Sequence, residues 1–175
     1  MTAPGVQLSV AVLRMMHPSL FDAIPSEILL ALDNQLCFAL HAAARSVQRA
    51  YQPLLVELDL TYPQYLVMLV LWEWDSENEP RPTLGALGQR LALDSGTLTP
   101  LLRRLEQKGL LVRERSNADG RELFVHVTRA GRALKKQARA VPIELICRSP
   151  VPVNEMVTLR EQLKKFRALL SQGTT

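Results

Sequence analysis

The sequence is poor in cysteine and histidine: it has two cysteines, Cys37 and Cys147, and three scattered histidines among 175 residues. Two cysteines about a hundred residues apart do not make the dense disulfide framework of small secreted domains. No spacing among them and the histidines matches a zinc-ligand pattern, so we expect no metal and no cofactor. In a reducing compartment the two cysteines are free thiols or a redox pair.

Long apolar runs and aromatic residues are also scarce. The longest apolar segments, such as YLVMLVLW at residues 65–72, fall well short of the ~20 residues that span a bilayer. The first 25 residues contain the patch VAVL, with no basic segment before it and no small-residue cleavage site after it. We therefore expect no membrane partner, no secretory signal and a cytoplasmic location.

Positive charge is concentrated in one segment. Residues 103–132 hold eight basic and four acidic side chains, a surplus of four that equals the net charge of +4 of the whole chain. A local basic surface suits a polyanion, with nucleic acid as the first candidate partner. From charge alone, a solvated basic surface without a partner stays open as the alternative.

The first half of the chain has helical periodicity. Apolar residues recur at helical spacing from Leu32 to Leu58, which predicts one long helix that is bent or interrupted near Pro53. A buried helix follows the Thr61–Pro63 segment, and Thr83 can cap a short one. Asp94 or Ser95 can cap the next helix, which runs to Lys108 and stops at Gly109.

After Gly109 the pattern changes to alternation, which predicts two strands joined through Asp119–Gly120 in a hairpin. Thr128 can cap a further helix that runs past Pro142 towards Cys147. Pro150 and Pro152 end it, and Asn154 can cap a final amphipathic helix that ends near Ser171. The chain is long enough for one domain with additional helical arms.

Two short helices followed at once by a basic hairpin have the order of a winged helix-turn-helix. In the second helix Leu98, Leu101, Leu102 and Leu105 share one face, and small and basic residues share the other. Thr99 can touch a thymine methyl group, and Arg103 or Arg104 can reach guanine or phosphate. In the hairpin Arg115 and Arg121 can enter a minor groove or hold phosphates, with Asp119 bracing Arg121; a solvated hairpin with a local ion pair is the alternative. The candidate DNA contacts are Ser95, Thr97, Thr99, Pro100, Arg103, Arg104, Arg115, Asp119 and Arg121.

Two blocks of the sequence resemble a known family. The block LTPLLRRLEQKGLLVRERSNADGRELFVHVTRAGRAL is similar to the recognition helix and wing of MarR regulators. The blocks LDNQLCFAL and LDLTYPQYLVMLVLWE resemble the organic-hydroperoxide-sensing branch, OhrR, and the likeness covers about residues 30–172. The resemblance implies a mainly α winged helix-turn-helix protein with a small β-hairpin wing, a homodimer that reads a pseudo-palindromic operator in double-stranded DNA.

The same resemblance implies a domain plan. Residues 1–28 are an N-terminal extension of unknown role, and residues 29–175 are a single MarR-like domain. Within it the winged module covers about residues 62–128, and the dimerisation helices cover about residues 29–58 and 129–172.

Cys37 is the candidate sensor. If Asp33 caps the long helix, Cys37 lies in its first turns, where exposed N–H groups favour the thiolate form of a cysteine. Asp33 itself and the apolar neighbours oppose this, so the residues alone leave open a buried, inert cysteine.

The resemblance implies that Cys37 is the peroxide-reactive cysteine and that Tyr51 and Tyr62 hydrogen-bond its sulfur. It also implies that Cys147 of the other subunit resolves the sulfenic acid as a disulfide, as in the two-cysteine members of the branch. The function predicted is a transcriptional repressor, not an enzyme, that organic hydroperoxides release from DNA.

Three alternatives stay open at this point. The first is a MarR-type repressor released by a small phenolic or hydrophobic ligand, with both cysteines idle. The others are a thiol peroxidase that uses Cys37, and a nucleoid protein that binds DNA by charge alone.

Overall fold

The computed structural model of the chain describes residues 25–75, 82–115 and 122–172, which form helices and one antiparallel hairpin. This confirms the predicted mainly α fold with a small β-hairpin. In chain order the elements are α1 (Ser26–Leu29), a 3-10 turn (Leu32–Asn34), α2 (Leu36–Val56), α3 (Tyr62–Trp74), α4 (Leu84–Leu91), α5 (Ser95–Gln107), β1 (Leu111–Arg115), β2 (Leu123–Val127), α6 (Arg129–Ala138), α7 (Ala140–Arg148) and α8 (Val153–Gln172).

The chain divides into two compact units, Ser46–Ser149 and Met1–Arg45 together with Pro150–Thr175. Among the described residues, the hydrophobic core lies in the first unit. Replacing one of its fully buried leucines by alanine typically lowers the free energy of unfolding by about 2–5 kcal/mol. The fully buried side chains are those of Leu55, Val67, Met68, Leu71, Leu87, Leu98, Leu102, Leu105, Leu111 and Val125.

Side-chain caps define the starts of four helices in this unit. Thr61 and Gln64 form a reciprocal capping box at α3, in which the Thr61 N–H donates to Gln64 Oε1 at 2.9 Å. The predicted caps Thr83, Asp94 and Thr128 are confirmed, because each accepts a backbone N–H three residues later. The donors are Ala86, Thr97 and Gly131, at 3.1, 2.8 and 3.1 Å.

Strands β1 and β2 pair antiparallel, with Leu111 opposite Val127 and Arg115 opposite Leu123. A bridge between Thr83 and Phe124 extends this pairing to the residue before α4, an addition that the sequence did not predict. Gly109 has a φ of +69° at the turn between α5 and β1, as expected for the residue that stops a helix.

Some predicted helix boundaries are wrong. Asp33 lies in the 3-10 turn and does not cap α2, which begins at Leu36. Asn154 lies inside α8, because the Pro152 carbonyl already accepts the N–H of Met156. Helix α2 continues through Pro53 to Val56 without interruption.

The helix after Thr128 is divided in two, since α6 ends at Ala138 and α7 begins at Ala140. The intervening Arg139 keeps helical dihedral angles, and α7 carries helical structure past Pro142 to Cys147, as predicted.

In the second unit, polar side chains hold the chain ahead of α2. The Asn34 side-chain amide donates to the Ile28 carbonyl at 2.9 Å, and the Gln35 amide donates to the Leu29 carbonyl at 2.6 Å. Many of the large apolar side chains of this unit are exposed in the single chain. They are Ile28, Leu29, Leu30, Leu32, Leu36, Phe38, Val151, Val153, Val157, Leu159, Leu163, Leu169 and Leu170.

Within residues 25–75, 82–115 and 122–172, no helix combines the length and apolar character that crossing a bilayer requires. The same residues contain no group of three or more His, Cys, Asp or Glu side chains placed to hold a metal ion.

Candidate nucleic-acid interface and redox centre

Helix α5 has one buried and one exposed face. Leu98, Leu102 and Leu105 are buried in the core, and Leu101 is half-buried beside them. Pro100 is the sixth residue of the helix, which continues to Gln107 despite the missing donor. The division into faces agrees with the helical pattern of the sequence. The described candidate DNA contacts of α5 are exposed: Ser95, Thr97, Thr99, Pro100, Arg103 and Arg104.

The hydroxyl groups of two of these residues are already engaged. Thr97 Oγ1 donates to Asp94 Oδ2 at 2.9 Å, and the Thr97 N–H donates to Asp94 Oδ1. These bonds, the backbone one first, hold the pKa of Asp94 below its usual value. Thr99 Oγ1 donates to the Ser95 carbonyl at 2.7 Å. The Thr97 hydroxyl therefore supports the helix cap at Asp94, and the Thr99 hydroxyl is hydrogen-bonded to the helix backbone.

Arg103 and Arg104 carry positive charge on the exposed side of α5. Neither side chain makes an ion pair with any carboxylate in the described part of the chain. Because an unpaired guanidinium on a surface is free to meet an anion, these two residues keep the chemistry that the sequence predicted.

An ion pair connects α5 to the hairpin. Glu106 accepts hydrogen bonds from three groups of Arg113: the backbone N–H at 3.1 Å, Nε at 3.0 Å and Nη2 at 2.6 Å. The Arg113 side chain is the main reason that the pKa of Glu106 is lowered. The recognition helix and the first strand of the hairpin are therefore tied together near their shared turn.

The hairpin presents Arg115 as the last, exposed residue of β1. On the two strands His126 Nε2 lies 3.2 Å from Glu114 Oε1. The predicted contacts Asp119 and Arg121 lie outside the described residues.

Cys37 is the second residue of α2 and is exposed. Its predicted place in the first turn of the long helix is confirmed, although Gln35, and not Asp33, immediately precedes that helix. The Gln35 carbonyl accepts the first helical bond, from the Ala39 N–H at 3.1 Å. The N–H groups of the first turn have no partner within the helix.

Three tyrosine rings form a cluster in the unit of residues 46–149. The centroids of Tyr51 and Tyr62 are 5.1 Å apart, and those of Tyr51 and Tyr65 are 5.8 Å apart. Burial raises the pKa of each phenol, that of Tyr65 to about 12. The structure therefore brings the two predicted thiol-binding tyrosines together and keeps their phenols protonated as donors.

Cys147 is exposed in the last turn of α7. Its neighbour Arg148 pairs with Glu144 through Nη2 and Oε2 at 2.6 Å. The predicted position of Cys147, at a helix end just ahead of Pro150, is confirmed.

Sequence reasoning missed Tyr65 and the bond between Glu106 and Arg113. The three-residue spacing of Tyr62 and Tyr65 on one helix was a usable signal for the first. The second had none, because it joins a helix to a strand across a turn.

Comparisons with known proteins give the family. The sequence profile of the transcriptional regulators SarA/Rot matches residues 49–138. The chain is 40% identical over 141 residues to the organic hydroperoxide resistance transcriptional regulator of Bacillus subtilis (strain 168), covering 81% of this chain and 92% of that protein.

Solved structures of AbfR, a protein of Staphylococcus epidermidis, are similar to this one. The structure of reduced AbfR bound to DNA is 38% identical, with 83% of this chain and 99% of that chain covered and a TM-score of 0.63. The structure of disulfide-formed AbfR is 37% identical, with 87% and 97% covered and a TM-score of 0.52.

A MarR-family regulator from Rhodococcus sp. RHA1 shares the fold, with 23% identity, 78% of this chain and 95% of that chain covered, and a TM-score of 0.67. The predicted resemblance to MarR regulators and to their hydroperoxide-sensing branch is thus confirmed. The chain belongs to the SarA/Rot-type family of winged-helix transcriptional regulators, which has the MarR fold.

Proposed function

We propose that this chain is a transcriptional repressor that binds operator DNA as a homodimer and is released when an organic hydroperoxide oxidises Cys37. The observation that carries the proposal is the exposed thiol of Cys37 in the first turn of α2. The protein also presents an exposed basic recognition helix, so signal and output belong to one chain. The relatives support both parts: one is named for organic hydroperoxide resistance, and AbfR has been solved reduced on DNA and in a disulfide form.

DNA binding is assigned to the exposed face of α5 and to the hairpin. Arg103 and Arg104, which have no ion-pair partner among the described residues, supply cations for phosphate or guanine. Because the hydroxyl of Thr99 is bonded to the helix backbone, its methyl group is the part left to contact a thymine methyl. Arg115 at the end of β1, together with Asp119 and Arg121 in the sequence between the two strands, is assigned to the minor groove or the flanking phosphates.

Dimerisation is assigned to the unit that contains α1, the start of α2 and α8. Large apolar side chains of this unit are exposed in the single chain; Leu30 is 81% and Leu169 is 67% exposed. Because burying apolar surface is the main driving force of association, a second copy of the chain is the natural cover for them. Two winged modules held by such a dimer can meet adjacent major grooves about 34 Å apart.

The tyrosine pair is assigned to the Cys37 of the partner subunit. The Tyr51 and Tyr62 rings lie together, with centroids 5.1 Å apart, so both phenols can donate to one thiolate. The thiol of the partner is assigned here because the proposed disulfide also joins residues of the two subunits.

The chemistry begins with attack of the Cys37 thiolate on the terminal oxygen of the hydroperoxide. A sulfur–oxygen bond forms as the peroxide O–O bond breaks. The sulfur is oxidised to a sulfenic acid, and the alkoxide that leaves takes up a proton to become an alcohol. Cys147 of the partner then attacks the sulfenic sulfur, forming a disulfide and releasing water.

The disulfide is the step that moves the DNA-binding modules. Its geometry requires Cβ atoms about 3.5–4.5 Å apart, which constrains the two helices that carry Cys37 and Cys147. Reduction by a dithiol protein or by small thiols restores the reduced form.

A gel-shift experiment tests the proposal. The probe is the DNA upstream of the protein's own coding sequence, with and without cumene hydroperoxide, for the wild type, Cys37→Ser and Cys147→Ser. We expect the wild type to be released and Cys37→Ser to stay bound. Cys147→Ser should form the sulfenic acid without a reducible covalent dimer.

Two outcomes would contradict the proposal. If Cys37→Ser is released like the wild type, the signal does not pass through this thiol, and a dissociable ligand becomes the explanation. If the oxidised wild type turns over many equivalents of hydroperoxide per thiol, the protein acts as a peroxidase.

A further inference from the structure

A small cleft lies at the C-terminal end of α2, within the unit of residues 46–149. Its volume is about 220 Å³. One wall comes from Leu54, Glu57 and Leu58, and the other comes from α6 and α7. Residues on the second wall are Gln137, Ala140, Val141 and Glu144. Sites that enclose drug-sized ligands run to about 300–1,000 Å³, so this cleft suits a compact organic group.

The cleft lies between two residues of the proposed redox chemistry. Leu54 follows Tyr51 by three residues on α2, and Glu144 precedes Cys147 by three residues on α7. Each separation is about one helical turn, or about 5 Å along the axis. Residues that line the cleft are therefore about one helical turn from the tyrosine assigned to the reactive thiol and from the cysteine assigned to resolve it.

The floor and the rim of the cleft differ in character. The floor is apolar, because Leu54, Leu58 and Val141 are buried there. The rim carries two carboxylates. Glu144 is paired with Arg148, whereas Glu57 is exposed and has no ion-pair partner among the residues that the structure describes. The rim thus keeps one uncompensated negative charge.

We propose that this cleft receives the organic group of the hydroperoxide and that the carboxylates at its rim, chiefly the uncompensated Glu57, select uncharged hydroperoxides over those that carry a carboxylate. The inference rests on the proposed function, since it places the organic group beside the site where Cys37 reacts. The apolar floor removes the hydrocarbon from water, and the rim repels an anionic substituent. In water-like surroundings, an uncompensated rim carboxylate about 6 Å from the carboxylate of a bound hydroperoxide lowers the binding constant of that hydroperoxide by a factor of about 3.

The test measures how fast the Cys37 thiol is lost, by timed alkylation and mass spectrometry of the full-length dimer. All proteins carry Cys147→Ser so that the reaction stops at the Cys37 sulfenic acid. The oxidants are cumene hydroperoxide, its para-carboxylate derivative and hydrogen peroxide. The third oxidant has no organic group and reports the reactivity of the thiol itself.

Two changes probe the cleft. In Glu57→Gln/Glu144→Gln, the preference for cumene hydroperoxide over its carboxylate should fall by a factor of about 3 or more. The control Glu73→Gln/Glu122→Gln removes the same charge from residues that do not line the cleft, and its preference should stay that of the parent. Ala140→Phe places a ring at the cleft wall. It should slow the oxidation of Cys37 by cumene hydroperoxide without changing the rate of its oxidation by hydrogen peroxide.

The outcomes separate this inference from the proposed function. The inference is overturned if both double variants change the preference equally, or if Ala140→Phe slows the two oxidants by the same factor. If Cys37 reacts with none of the oxidants, the proposed function itself fails. Circular dichroism of each variant confirms that an altered rate does not come from unfolding.

Discussion

Among the described glycines, Gly131 is the one where an added methyl group would meet the closest neighbouring atoms. It is the third residue of α6, where the chain passes directly over the turn that follows α5. A Cβ atom there would collide with the Leu110 carbonyl oxygen and come within 2.6 Å of Val127 Cγ1. The Gly131 carbonyl also accepts a buried hydrogen bond from Trp72 Nε1 at 2.9 Å. Backbone atoms cannot rotate away, so α6 must shift and strain that bond.

We expect Gly131→Ala to destabilise the protein by about 1–3 kcal/mol, the usual range for an overpacked core. The better helix propensity of alanine, worth up to about 1 kcal/mol, works in the opposite direction. Strain on the Trp72 bond adds about 1 kcal/mol to the loss. The net effect should therefore be clearly unfavourable despite the gain in propensity.

The assay is urea unfolding followed by circular dichroism at one fixed protein concentration, because self-association of the chain, as proposed, would make its stability depend on concentration. Gly85→Ala in α4 is the matched control, since the nearest atom to its added Cβ is Thr83 Oγ1 at 3.9 Å. The control should be as stable as the wild type or slightly more so. A Gly131→Ala protein as stable as the control would refute the argument from close packing.

Three further predictions concern charge and burial. Glu106→Gln should lose about 1 kcal/mol at neutral pH, a value reduced because the pair is partly solvated. The pKa of Glu106 is lower in the folded protein than in the unfolded chain. The stabilisation from its pair with Arg113 is therefore present above the unfolded pKa and is lost as pH falls through the folded pKa. The urea midpoints of wild type and variant should accordingly converge in acid. Burial raises the pKa of Tyr65 to about 12. The contribution of its neutral phenol to the free energy of unfolding is therefore complete below the ordinary pKa of 10 and declines as pH rises towards 12. Because phenylalanine cannot ionise, Tyr65→Phe should resist alkaline unfolding better, as measured by ultraviolet titration. Arg103→Ala should weaken operator binding, measured by fluorescence anisotropy. A weaker dependence of the binding constant on salt concentration would identify a phosphate contact, whereas an unchanged affinity would remove Arg103 from the interface.

Much of the local structure could be predicted from neighbouring residues. Thr83, Asp94 and Thr128 cap their helices as expected, because a cap binds a backbone N–H only three residues away. The errors at Asp33 and Asn154 are shifts at helix starts, where several polar residues compete to begin a helix within two or three positions.

The candidate site was predicted less completely. The exposed face of α5 follows from helical periodicity, since the same leucines that anchor the helix define its opposite side. The residues assigned to the redox site came from resemblance to a family. Tyr65 was missed although its spacing from Tyr62 was a usable signal. The cleft at the end of α2 was not predicted, because residues from distant parts of the chain line it.

By itself the sequence determined the order of the main helices and strands, the caps at Thr83, Asp94 and Thr128, and the amphipathic face of α5, all of which depend on residues within one or two turns. Only the tertiary structure decided which distant groups meet: Trp72 with Gly131, Glu106 with Arg113, and the end of α2 with α7. Such contacts form when loops close and side chains pack in three dimensions, and no short-range pattern specifies those partners.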